Sequence, residues 1–127
     1  MKITPTLVAG VLLAVMLAAC SEGGSAPPAS PPPEADLMVT AEDNAFDQST
    51  IILTAGEATT VFFHNQDEAR HNIAIYTDES ASASLFVGDT ITEDAVTYEV
   101  PALEPGEYFF RCDVHPGMTG VVVVEEA

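Results

Sequence analysis

The sequence predicts an all-β domain, a Greek-key β-sandwich of about seven or eight antiparallel strands, over residues 37–127. Three observations predict it. Short segments rich in Val, Ile, Thr, Tyr and Phe recur along this part of the chain, as is typical of strands. Turn signals separate these segments, and none of them sustains the periodicity of a helix. Inward-facing aliphatic and aromatic residues on this many strands are enough to close one core.

The predicted strands follow one another in chain order, with a turn or loop after each. Ala-Gly-Glu at 55–57 and Asn-Gln-Asp at 65–67 end the second and third strands, and Glu-Pro-Gly at 104–106 precedes the sixth. Residues 77–92, rich in Ser and Ala, indicate a loop with a short strand around 85–87. The seven main strands are expected at 37–40, 50–55, 59–64, 71–76, 95–100, 107–112 and 119–125.

Residues 1–19 predict a lipoprotein signal peptide. The apolar run at 7–19 suits the core of such a signal and is shorter than the ~20 residues that span a bilayer. Leu-Ala-Ala-Cys at 17–20 is similar to the bacterial lipoprotein signal, whose cysteine is lipidated; an ordinary cleaved signal is the alternative. Residues 20–36 then form a Pro-, Ser- and Gly-rich tether. We expect lipidated Cys20 to anchor the domain on the extracytoplasmic side of a membrane, in the periplasm or at the cell surface.

The chain is strongly acidic. Beyond Cys20 it carries 20 acidic side chains against two basic ones, Arg70 and Arg111, a side-chain charge of −18. Such a surface excludes nucleic acid as a natural partner. It would steer the domain toward a basic partner, or it reflects solubility or a saline habitat, since the acids are scattered rather than grouped in blocks.

Cysteine usage points to a metal. The chain has two cysteines, and if Cys20 carries lipid, Cys112 has no partner for an intramolecular disulfide. A free thiol outside the cytoplasm is prone to oxidation unless something binds it. We therefore expect Cys112 to be a metal ligand.

The segment Cys-Asp-Val-His-Pro-Gly-Met at 112–118 gathers a thiol, an imidazole and a thioether. Strand alternation places Cys112 on the same inward face as Tyr108 and Phe110. Pro116 and Gly117 favour a compact turn that would bring His115 and Met118 back toward the sulfur. A thiolate, two imidazoles and a weak axial thioether make the blue-copper electron-transfer site, so the sequence predicts one copper ion and requires a second histidine.

That histidine is His64 or His71, and the pattern alone does not choose between them. Residues 65–70 are expected to form a hairpin loop that places both at the same end of the sandwich. We favour His71 because the side chain of Asn72 could cross to the neighbouring loop and support the site. His64 would then be a partly exposed residue at a strand end.

Residues 106–124, Gly-Glu-Tyr-Phe-Phe-Arg-Cys-Asp-Val-His-Pro-Gly-Met-Thr-Gly-Val-Val-Val-Val, together with Ala-Arg-His-Asn-Ile-Ala-Ile-Tyr at 69–76, resemble the small blue copper proteins, cupredoxins of the plastocyanin and amicyanin type. The resemblance covers nearly all of residues 37–126. It implies a cupredoxin-like fold, His71, Cys112, His115 and Met118 as copper ligands, and Asn72 as a supporting residue.

The resemblance also implies a function, electron transfer by cycling between Cu(II) and Cu(I), without enzymatic activity. His115 would be the electron outlet through an apolar patch, to which Pro116, Gly117, Ala102 and Leu103 could contribute. The expected partner is a c-type cytochrome or an oxidase domain that docks transiently on a monomer. Arg111 and Arg70 depart from the residues usual in the family beside the cysteine and the first histidine, so the partner's identity does not follow.

Two other functions use the same observations differently. One is an extracytoplasmic copper-binding and delivery module, which would use the same ligands to hold Cu(I) and hand it on. The other is a metal-free surface interaction domain, in which Cys112 would have no role. A multicopper enzyme would require more than the three histidines of this chain.

Overall fold

The computed structural model describes residues 34–127. The predicted signal peptide, Cys20 and nearly all of the tether lie outside these residues. This part of the chain includes no helix long and apolar enough to cross a membrane. Its regular structure is nine β-strands: β1 Leu37–Glu42, β2 Ala45–Phe46, β3 Thr50–Thr54, β4 Thr59–Asn65, β5 Ala74–Tyr76, β6 Ser84–Val87, β7 Asp94–Val100, β8 Gly106–Arg111 and β9 Thr119–Glu125.

The strands form two packed sheets, with the orders β2-β1-β4-β7 and β3-β9-β8-β5-β6. The predicted all-β sandwich is therefore confirmed. The expectation that all pairs are antiparallel is wrong, because β1 pairs with β4, and β3 with β9, in parallel. After the β1–β2 turn the chain crosses to the second sheet to form β3. When it returns, β4 runs in the same direction as β1.

The core lies between the sheets, where alternate residues of each strand point inward. Val39 and Phe63 from one sheet and Phe110 and Val122 from the other are fully buried. Gly120 of β9 pairs with Phe110 of β8, and a Cβ atom at position 120 would lie 2.3 Å from the Phe110 ring. Only glycine leaves room for that ring to lie across β9. Phe110 therefore packs closely against β9 two residues before Cys112.

Several elements differ from the sequence prediction. The short strand expected around 85–87 is present as β6, whereas the two-residue β2 was not predicted. The strand expected at 71–76 begins only at Ala74, since His71 instead makes an isolated bridge with Ile91. The expected hairpin at 65–70 is wrong, because β4 and β5 belong to different sheets. The segment crosses the end of the sandwich, and the pairing of β5 with β8 brings it beside Cys112.

Candidate metal centre

The loop that follows β8 closes on itself. The Met118 N–H donates to the His115 carbonyl at 2.9 Å, and the Cys112 N–H donates to the Met118 carbonyl at 3.0 Å. Cys112 is 0% exposed and Met118 is 4% exposed. The compact turn expected from Pro116 and Gly117 is thus present, with the ends of the 112–118 loop held together where β8 stops and β9 begins.

His71 reaches the same place from the crossing segment between β4 and β5. Its backbone N–H and carbonyl both bond to Ile91, at 3.1 and 3.0 Å, and its side chain is 0% exposed. The ring nitrogen Nδ1 lies 3.6 Å from the Cys112 Sγ, while Nε2 lies 2.7 Å from the Asp67 carboxylate. The His71 ring is therefore fixed on both sides, with Nδ1 toward the sulfur.

The donor atoms fit a single metal ion. One ligand atom from each of His71, Cys112 and His115 lies within 4.8 Å of the other two. The His115 Nδ1 is buried and has no hydrogen-bond partner within residues 34–127. A buried polar atom left unpaired calls for an explanation, and a bound ion supplies one. A thiolate, two imidazoles and a thioether are the donors that copper prefers, so His71, Cys112, His115 and Met118 are positioned to bind one copper ion.

Asn72 joins the two ligand segments. Its side-chain oxygen accepts the backbone N–H of Asp113 at 2.8 Å, and its amide donates to the Gly88 carbonyl at 2.9 Å. The Asn72 side chain is almost completely buried. These bonds link the residues next to His71 and Cys112, so the spacing between the two ligand loops is set by the protein.

Two acidic groups near the ligands were not singled out from the sequence. Asp67 faces His71, and its pKa is lowered, first by the Asn44 backbone N–H, against the opposing effect of burial. Burial acts to raise the pKa of Asp113, but bonds from the Tyr76 hydroxyl at 2.7 Å and the Arg111 guanidinium at 3.1 Å hold it below its ordinary value. Nothing in the sequence separates these two acids from the other eighteen.

His64 lies outside the ligand cluster. It is half-buried on β4, between the inward-facing Phe63 and Asn65, so strand alternation turns its side chain to the outer face of the sheet. Within residues 34–127, the His, Cys, Asp and Glu side chains close enough together to hold a metal ion are His71, Cys112 and His115. The structure thus separates the two histidines that the sequence pattern left open.

The surroundings of His115 differ from the expectation. The residue is half-buried, and its chain neighbours Val114, Pro116 and Gly117 are exposed, with Val114 at 46%. The contribution expected from Ala102 and Leu103 is wrong. The Leu103 carbonyl accepts the Gly56 N–H in the turn between β3 and β4, at the opposite end of the sandwich. Val114 takes their place as the exposed aliphatic residue beside the histidine.

The sequence and fold of this chain are similar to those of a known protein family and of solved structures. The family model of the Cupredoxin-like domain matches residues 9–124. Amicyanin from Paracoccus versutus (Thiobacillus versutus) is 31% identical, and its alignment covers 74% of this chain and 84% of that protein with a TM-score of 0.57.

Two auracyanins are similar in fold. Dithionite-reduced auracyanin from the photosynthetic bacterium Roseiflexus castenholzii is 22% identical over 70% of this chain and 95% of that one, with a TM-score of 0.63. Auracyanin A, a "blue" copper protein from the green thermophilic photosynthetic bacterium Chloroflexus aurantiacus, is 19% identical over 69% of this chain and 96% of that one, with a TM-score of 0.60.

Proposed function

The chain belongs to the cupredoxin family, and on that basis we propose that it is a mononuclear copper electron carrier tethered to a membrane. The observation that carries the proposal is the ligand cluster: donor atoms of His71, Cys112 and His115 lie within 4.8 Å of one another, and Met118 is buried in the same loop. Copper supplies one-electron chemistry by alternating between Cu(II) and Cu(I). No substrate bond is made or broken, so the proposed role is not enzymatic.

In this function the role of the polypeptide is to hold the copper ligands in fixed positions. The backbone bond between Cys112 and Met118, the bridge from His71 to Ile91 and the side chain of Asn72 fix both ligand segments to the sheets. The fully buried Cys112 would supply its sulfur to the copper ion, and a thiolate is the form in which cysteine binds a metal. Because imidazole suits both oxidation states and the two sulfurs suit Cu(I), such a fixed set limits rearrangement when an electron arrives or leaves.

His115 is the proposed outlet for the electron. Its Nδ1 is buried in the cluster while the residue as a whole is half-exposed, so His115 connects the cluster with the protein surface. Val114, Pro116 and Gly117 flank His115 in the chain, and these three exposed residues are uncharged. Electrons would then pass between the cluster and the partner through one side chain.

The proposed partner is a redox protein with a basic docking surface, such as a c-type cytochrome or an oxidase domain. The side-chain charge of −18 beyond Cys20 supports this choice, since opposite charges speed encounter and are screened by salt. A small, largely uncharged contact around His115 suits transient docking by a monomer. Salt should therefore slow electron exchange with a basic cytochrome.

Reversible voltammetry under a chelator challenge tests electron transfer against copper delivery. We expect the copper-loaded protein to give a reversible one-electron wave and to keep its copper through repeated cycles in the presence of a Cu(I) chelator. The buried, multiply anchored ligands are the reason. Loss of the copper to the chelator without a reversible wave would favour the delivery module, and a protein that takes up no copper would favour the metal-free domain.

The membrane tether is proposed from the sequence at 1–36. Mass spectrometry of the N-terminal peptide, taken from protein extracted from membranes, tests it. We expect that peptide to begin at Cys20, because the signal peptide of a lipoprotein is cleaved just before the lipidated cysteine. We also expect it to carry more than one acyl chain, since one acyl chain alone gives only weak membrane binding. A peptide that begins elsewhere, or an unmodified Cys20, would contradict the lipid anchor and leave the copper chemistry unaffected.

A further inference from the structure

We infer that Asp67 is a positioning residue for the copper ligand His71, and that the turn between β1 and β2 holds Asp67 in place. The inference rests on the proposed function, because it assigns His71 as a ligand. The β1–β2 turn would then be a third segment that stabilises the copper end of the sandwich, in addition to the two segments that carry the ligands. None of the sequence patterns around the ligands includes residues 43 or 44.

The first step is the contact between the two side chains. The His71 Nε2 lies 2.7 Å from the Asp67 Oδ2, in a site where His71 is 0% exposed and the Asp67 side chain is 16% exposed. A neutral imidazole has one N–H, and an ionised carboxylate can only accept. In the neutral ring, which is the form that binds a metal, the His71 proton therefore belongs on Nε2, and the lone pair of Nδ1 is directed toward the Cys112 sulfur 3.6 Å away.

The second step is the anchoring of the carboxylate. Its Oδ1 accepts the Asp43 N–H at 2.8 Å, and its Oδ2 accepts the Asn44 N–H at 3.0 Å. Asp43 and Asn44 have φ values of 54° and 55°, the left-handed pair of a two-residue hairpin turn that Asp and Asn tolerate well. Both donors come from the turn that joins β1 to β2, so the hairpin aims two successive N–H groups at one side chain.

The third step is the rigidity of the segment that carries Asp67. Asn65 is 0% exposed, and its side-chain oxygen accepts the Asp67 N–H at 2.9 Å. The Asn65 amide donates to the carbonyls of Ala69 and Ile91, at 2.8 and 2.7 Å. Asn65 thus ties together the start of the crossing segment, its middle and the strand-like bridge to His71. Asp67 has little freedom to leave the histidine.

The consequence concerns both affinity and potential. A carboxylate that accepts from the outer nitrogen makes the metal-facing nitrogen a stronger donor, and its negative charge favours the more positive oxidation state of the metal. Asp67→Asn keeps the shape and removes the charge. We expect it to weaken Cu(II) binding by about 10- to 100-fold and to raise the reduction potential.

Asp78→Asn is the matched control. The Asp78 carboxylate also accepts a backbone N–H, from Ser80 at 2.8 Å, and lies in the exposed loop after β5, with no histidine among its hydrogen-bond partners. The Asp78→Asn substitution, like Asp67→Asn, removes one negative charge from a carboxylate that accepts a backbone N–H. In the full-length copper-loaded proteins, Asp78→Asn should keep the wild-type Cu(II) affinity and potential. Equal shifts in both variants, or none in Asp67→Asn, would overturn the inference.

The metal-free protein gives a second readout that does not depend on copper chemistry. Long-range proton–nitrogen NMR correlations of the His71 ring should show the Nε2–H tautomer in the wild type and loss of that single form in Asp67→Asn. A wild-type ring protonated on Nδ1 would overturn the inference even if the variant fails to fold. Failure of the proposed function shows differently, as a wild type without a reversible wave.

Discussion

Replacement of Cys112 by serine is expected to abolish the intense visible absorption of the copper-loaded protein. That absorption requires electron transfer from a thiolate sulfur to Cu(II), and within residues 34–127 Cys112 is the one sulfur ligand that can ionise. The substitution is nearly isosteric and places a hydroxyl at a fully buried position. We expect it to lower the free energy of unfolding by about 1–3 kcal/mol, which a domain of ordinary stability survives.

Absorption spectra and far-UV circular dichroism, recorded on the same sample, separate the two effects. The dichroism spectrum of Cys112→Ser should match that of the wild type, since the residue contributes no backbone bond that serine lacks. A blue or green band that persists in the folded variant would show that the absorption does not come from copper bound to Cys112, and would contradict this prediction.

Replacement of His71 by alanine is expected to reduce Cu(II) affinity more than the 10- to 100-fold typical of losing a supporting residue. The change removes a ligand atom 3.6 Å from the Cys112 sulfur and leaves the Asp67 carboxylate without its partner. His64→Ala is the internal control, because His64 projects from the outer face of β4. Its Cu(II) affinity should stay at the wild-type value.

Competition with a chromogenic chelator measures both affinities under identical conditions. We expect His64→Ala to bind Cu(II) with the affinity of the wild type, and His71→Ala to bind it far more weakly. The reverse order, in which His64→Ala loses copper and His71→Ala keeps it, would exchange the roles of the two histidines and contradict the ligand set.

Local spacing is the reason that three of the four ligands could be predicted from one short stretch of the sequence. Cys112, His115 and Met118 lie in one seven-residue loop, where a strand end, a proline and a glycine decide the geometry with little help from the rest of the chain. Strand alternation likewise predicted the buried positions of Phe110 and Cys112. The sandwich class follows from the same local signals, since strands and turns recur throughout the domain.

Long-range pairing is the reason that the surroundings of the fourth ligand, His71, could not be predicted. The segment around His71 reads as a strand because of its Ile and Tyr residues, yet its first residues cross between sheets and bond to Ile91. Leu103 is apolar and near the ligand loop in the sequence, but β7 and β8 carry it to the other end. Asp67 contacts His71 from four residues away, but the turn that holds its carboxylate lies more than twenty residues away in the sequence.

Titration of the purified protein with Cu(II), followed by visible absorption, tests the central claim most directly. The account predicts an intense band that grows in proportion to added copper and stops at one ion per chain, because His71, Cys112, His115 and Met118 form a single site. A protein that stays colourless at every copper ratio, or that reaches no endpoint at one equivalent, would contradict it.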